Sequence, residues 1–261
     1  MVDTTNGNEV RPQAARPAEA DAAWTPVTRS STYELVIDAI EDQIMNGALV
    51  VGDLLPPERE LAARLRVSRA GVREAIRALE AYGVLRSEVG SGRGAGTFVA
   101  AMPSAALERF LRLHVALSNF GRHEVIETRI LLEQASAALA AERADADALA
   151  ELERLLVVMD DPDVTREGFN DADTAFHVAI AQAGGNALFS DMTAAIRASL
   201  RTPIMESFTK IADWQPIAVT LCAQHHGIFR AIRDGRAEEA AELTAAHIRH
   251  AAAALPELGT D

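Results

Sequence analysis

Apolar positions three to four residues apart recur along most of the chain, a pattern that predicts a mainly helical protein. "SSTYELVIDAIEDQIMNGAL" opens with Ser31 and Glu34 at capping-box spacing and continues as an amphipathic helix to Asn46-Gly47. "PPERELAARL" predicts a short helix from about Pro57 to Leu65. A tight turn through Arg66-Val67 follows, and Ser68 then caps a second helix that runs to Gly83. Two helices joined by so short a turn make a helix-turn-helix. After them the period changes. "VLRSEV" and "AGTFVA" read as two short strands around the Gly-rich "GSGRG", which adds a wing.

Beyond the linker "AMPS" at 101–104 the pattern is helical almost to the end. Helices are expected near 104–118, 121–143, 146–160, 165–183, 187–201, 214–234 and 236–254. The breaks are "NFG", "RADAD", "DDPD", "GGN", the segment from Pro203 to Pro216, and "DGR". About seven helices without a strand candidate imply an antiparallel bundle, an architecture that builds ligand and metal sites between facing helices. Residues 1–27 show no periodicity and read as a disordered tail. The chain therefore divides into that tail, a winged helix-turn-helix over 28–100 and an all-helical domain over 104–256.

Charge adds a distinction between the two halves. The net charge of −13 argues, by itself, against nucleic acid. Yet six arginines (59, 64, 66, 69, 73 and 77) fall between Arg59 and Arg77 against only Glu60 and Glu74. Most of the acidic excess lies beyond residue 100. A basic face on an acidic whole permits specific DNA contact while limiting non-specific adhesion. The single Cys222 excludes a disulfide framework and a thiolate zinc cluster. No apolar run approaches the roughly 18 residues of a membrane span, and no signal pattern opens the chain. A cytoplasmic protein without a membrane partner is the expectation.

In a helix-turn-helix the second helix enters the major groove, with its N-terminal residues facing base edges. Those residues are Ser68, Arg69, Ala70, Gly71 and Arg73. Arg69 and Arg73 share a face at four-residue spacing, and a guanidinium grips guanine O6 and N7 in bidentate fashion. Small Ala70 and Gly71 are expected to let the helix approach closely. Arg59 is placed for a phosphate or base contact, and Arg93 in the wing for the minor groove or a phosphate.

The helical half carries different chemistry. Asp173 and His177 lie four residues apart, on one face with Phe176 and Ile180. A buried carboxylate beside a buried imidazole is costly unless each finds a partner. His225 and His247 fall in the last two expected helices. Together the four supply one carboxylate oxygen and three imidazole nitrogens, a set that suits zinc, nickel or another divalent transition metal. An Asp-x-x-x-His pair also occurs on solvated faces, so sensor, active site and structural staple all stay open on the residues alone. His114, His123 and His250 read as ordinary surface or partly buried histidines, and Asn186 as a helix cap.

Two stretches carry a resemblance. "LLPPERELAARLRVSRAGVREAIRALEAYGVL" followed by "GAGTFV" resembles the GntR family of bacterial regulators. The resemblance implies operator contacts by Arg59, Arg69, Arg73 and the wing, although this wing is a few residues longer than the commonest one. From about 104 to 254, "ETRILLEQASAALAAERA", "DTAFHVAIAQAGGNALF" and "HHGIFRAIRDGRAEEAAELTAAHI" resemble the FCD effector domain of the FadR subfamily. That likeness implies a metal at Asp173, His177, His225 and His247, favours His225 over His226, and places Arg129 toward the effector pocket. It points to a non-enzymatic transcription regulator, a homodimer on double-stranded operator DNA, most commonly a repressor, answering to a small carboxylate. The competing expectation is a metal-dependent hydrolase with a DNA-binding appendage, for which Glu133 is only a distant general-base candidate.

Overall fold

A computed structural model describes residues 31–90, 95–101, 104–117 and 119–255. The expected tail and Arg93 lie outside the described residues. The N-terminal part comprises α1 (Thr32–Met45), α2 (Glu58–Leu65), α3 (Arg69–Ala81) and the antiparallel strands β1 (Leu85–Glu88) and β2 (Gly96–Val99). Its core joins Val36 and Ile40 of α1 to Val72, Ile76 and Leu79 of α3 and to Leu85 of β1.

Local chemistry fixes the turn between α2 and α3. Arg66 adopts φ 55°, the left-handed conformation that ends a helix, and among the described residues it alone does so without being glycine. Ser68 then caps α3, its Oγ accepting from Gly71 N at 3.1 Å. Glu34 accepts from the Ser31 backbone N–H at 2.9 Å, which supports the start of α1 as the sequence suggests.

The wing has a third edge that alternation did not reveal. Leu54 bridges Phe98, Leu55 N donates to Thr97 O at 2.8 Å, and Val99 N donates to Asp53 O at 2.8 Å. Gly96 sits there at φ 149°, a backbone conformation that other residues rarely adopt.

Seven helices follow: α4 (Ser104–Ala116), α5 (Arg122–Arg143), α6 (Ala146–Met159), α7 (Arg166–Ala183), α8 (Ala187–Lys210), α9 (Gln215–Arg233) and α10 (Ala237–Ala254). No further strand occurs among the described residues of this part. Helix α5 packs along α10 and α7, α4 along α8, and α9 along α10 and α6. The expected break at Pro203 is corrected: α8 runs through it to Lys210. An internal proline costs about 3 kcal/mol. Burying Ile204 and Phe208 on the continued helix returns about 1.5–3 kcal/mol each. Phe208 stacks edge-on with Phe169 and lies 5.9 Å from Trp214, ring centre to ring centre. Arg166 completes the end, donating to the carbonyls of Phe208 and, at 3.0 Å, Ile211.

Candidate metal centre

Helices α7, α9 and α10 each turn one imidazole into the bundle. His177 and Asp173 sit one turn apart on α7, and His225 and His247 come from α9 and α10. The three rings are buried and the Asp173 side chain is 13 % exposed. Their ligating atoms all lie within 4.8 Å of one another. His247 Nε2 is 3.3 Å from His177 Nε2 and 3.2 Å from His225 Nε2. Asp173 Oδ1 is 3.0 Å from His225 Nε2 and 3.7 Å from His177 Nε2.

The outer atoms decide what the inner ones can be. His177 Nδ1 lies 2.6 Å from Glu133 Oε2, and an ionised carboxylate only accepts, so the ring proton sits on Nδ1. His247 Nδ1 is 3.0 Å from Gln224 Oε1, which fixes that ring in the same sense. Both Nε2 atoms are then bare lone pairs facing each other in a buried space. Only His225 Nε2 can offer a proton, and its Nδ1 has no partner. The cluster holds more acceptors than donors, a costly arrangement that a cation relieves. The donor set therefore fits a divalent metal.

Charge keeps the ligands ready. Burial drives the His177 pKa down, assisted by the nearby Arg197 cation, to about 4, so the ring is neutral at pH 7 and has no proton to shed on ligation. Burial, with the two neighbouring imidazoles, holds His247 well below its usual value. Burial opposes ionisation of Asp173, but Arg197, with His225 and His177, overcomes it and holds the carboxyl well below its ordinary range. Glu133 behaves likewise: burial pushes up, while Arg129, His177 and Arg197 together win.

Two of these residues were not legible as parts of the site. Glu133, the distant base candidate of the sequence reading, is 2 % exposed and bonded to His177, Arg129 and Arg197. Arg197 of α8 spans the cluster, paired with Asp173 Oδ2 and 3.4 Å from Glu133 Oε2. Arg129 donates from Nε to Glu133 Oε1 at 2.6 Å and also lines a cavity with Asp173 and His247. The same arginine thus holds a buried ion pair and forms part of the cavity wall.

Glu133→Gln is expected to lower metal affinity about 10–100-fold, as loss of a ligand-orienting partner does. It should also lower the melting temperature, since two buried guanidiniums lose their shared anion. Competition with a chromophoric chelator and a thermal melt measure the two effects.

The remaining histidines separate cleanly. His226, about 100° around the helix from His225, points outward to Asp160 Oδ2 at 2.8 Å. His114 pairs with Asn119 at 2.7 Å, His123 and His250 are exposed, and Asn186 caps α8 by accepting from Phe189 N.

In the helix-turn-helix, Arg59, Ser68, Arg69, Ala70 and Arg73 are exposed, and the three arginines make no ion pair with a described residue. Gly71 is a correction. It is buried against α1, where a Cβ would meet Thr32 Cγ2 at 2.7 Å, so its smallness serves helix packing and not groove approach. Gly71→Ala should destabilise the N-terminal part by about 1–3 kcal/mol through overpacking, read as an earlier denaturant midpoint.

Comparisons with known proteins agree with this geometry. The family described as bacterial regulatory proteins, gntR family, matches residues 32–99, and the FCD domain family matches residues 124–250. The galactonate operon transcriptional repressor of Escherichia coli is 34 % identical over 224 residues, which cover 84 % of this chain and 94 % of that protein. The HTH-type transcriptional regulator LutR of Bacillus subtilis is 29 % identical, covering 78 % of this chain and 92 % of its own. The solved structure of a Streptococcus agalactiae GntR superposes with a TM-score of 0.58 at 26 % identity, covering 83 % of this chain and 97 % of that one. No helix among the described residues is long and apolar enough to cross a membrane. With a GntR helix-turn-helix ahead of an FCD domain, and relatives that match it along nearly their whole length, this chain belongs to the GntR family of bacterial transcription regulators.

Proposed function

We propose that this chain is a one-component repressor, not an enzyme, whose affinity for operator DNA is set by a small carboxylate bound beside a metal in the helical domain. Asp173, His177, His225 and His247 hold a divalent ion, zinc or nickel by donor type. When bound, the metal supplies a Lewis-acidic site for a carboxylate oxygen. The observation that carries the reading is the charge count around the cluster. Asp173 and Glu133 cancel Arg129 and Arg197, and an imidazole ligates a metal only in its neutral form. A divalent cation therefore brings uncompensated positive charge into a buried site, which an anionic effector would neutralise. Arg129, on the cavity wall, orients that anion.

A homodimer on a pseudo-palindromic operator follows from the reading mode, with Arg69 and Arg73 of α3 on base edges and Arg59, Ser68 and Ala70 beside them. Arg93, between β1 and β2 in the sequence, is a further proposed contact to a phosphate or the minor groove. The effector changes DNA affinity only if it binds one arrangement of the dimer more tightly than the other. The hydrolase reading lacks a free base: Glu133 lies on the outer side of His177 and is spent on two arginines and an imidazole. A footprint on the DNA upstream of its own gene tests the proposal. Protection of two half-sites about one helical turn apart is expected, and absence of any specific protection contradicts it.

A further inference from the structure

The cavity beside the cluster carries one polar group that neither ligates nor pairs with the ligands. Asn170, one turn before Asp173 on α7, is 2 % exposed and lines the cavity with Arg129, Asp173 and His247. Both its amide nitrogen and its carbonyl oxygen are buried without a hydrogen-bond partner. Its other neighbours on that wall are apolar, including Phe169, Ile204, Phe208 and Leu221. An apolar side chain would fill the position without the penalty of two unmade hydrogen bonds. The amide therefore marks a place where something polar binds.

Resting on the carboxylate reading above, we infer that Asn170 reads a hydroxyl on the carbon next to the effector's carboxylate, so that the ligand class is the 2-hydroxy carboxylates. Residues three apart on a helix face are neighbours, with Cβ atoms about 5–6 Å apart. That separation matches a carboxylate held at Asp173's end of the cavity with its adjacent carbon beside Asn170. A hydroxyl both donates and accepts, so it pairs with either end of the amide, whereas a plain methylene pairs with neither. A site built to bond a hydroxyl rejects the analogue that lacks it, because the protein's own polar group is then left unpaired. The competing occupant is a single water: the cavity is about 20 Å³ as it stands, room for one. Admitting an acid requires its apolar wall to part.

Calorimetric titration of the full chain loaded with one equivalent of Zn²⁺ tests this. The probes are matched acids: glycolate against acetate, lactate against propionate, malate against succinate, and gluconate against its 2-deoxy analogue. At least one hydroxy acid should bind about tenfold or more tightly than its partner. In Asn170→Leu that ratio should fall to about one, with the deoxy acid's affinity kept. Asn170→Ala serves the same purpose should the leucine perturb folding. Equal binding of both members in the wild type, or a preference that survives both substitutions, overturns the assignment and leaves Asn170 to a water. Binding by no acid in any pair overturns the carboxylate reading itself, and this inference with it.

Discussion

His225→Ala is expected to leave the purified protein without tightly held metal, while His226→Ala keeps it. Structural zinc sites are worth about 10–16 kcal/mol, so each of four ligands carries about 2.5–4 kcal/mol and its loss costs about 10²–10³ in affinity. The neighbouring histidine is the sharp control because it has the same chemistry one residue along. His225 is fully buried with its Nε2 between Asp173 and His247. The His226 side chain is 38 % exposed and bonded to Asp160 outside the cluster. Elemental analysis after dialysis measures the outcome. Equal metal in both variants would remove the assigned site, and metal lost only from His226→Ala would reassign it.

The second large effect belongs to α3. Arg69→Ala together with Arg73→Ala should weaken operator binding by about 2–6 kcal/mol, since each bidentate guanine contact is worth about 1–3 kcal/mol. That is roughly 30-fold to 10⁴-fold, and discrimination against unrelated DNA should shrink with it. Arg64→Ala is the control, because Arg64 is exposed and already paired with Glu60 one turn away. Its loss should act only through general charge, leaving discrimination against unrelated DNA unchanged. Fluorescence anisotropy across a salt series separates the two. If the double variant loses no more than Arg64→Ala does, α3 does not read the bases.

Much of this site was legible because each ligand sits on an apolar face whose period is set by its helix. The helical period that buries Phe176 and Ile180 also buries His177, whereas the preference for His225 over His226 comes from the family resemblance. The supporting shell was harder to see. Glu133 and Arg197 are charged residues in long helices, and such residues normally face water. Only the packing of α5 and α8 against α7 shows that they neutralise one another inside the bundle. The continuation of α8 past Pro203 was hidden for a related reason. Local propensity predicts a stop, and the aromatic contacts that override it come from Phe169, distant in the chain, and from Trp214 just beyond the helix end. The edge formed by Asp53–Leu55 is too short and too close to a double proline for alternation to register. Gly71 read correctly as a place needing a small residue, but the close neighbour is Thr32 and not DNA.

The central claim is that one buried site couples an acid to DNA through a metal, and its most direct test is a linkage measurement. Operator affinity of the Zn²⁺-loaded protein is measured with and without a bound carboxylate, then again after chelation and in Asp173→Ala. Allosteric coupling energies of about 1–3 kcal/mol predict a 5–150-fold shift in affinity caused by the acid. That shift should vanish when the metal is removed and in Asp173→Ala, while operator binding itself persists. An acid response of the same size in the metal-free protein would contradict the account.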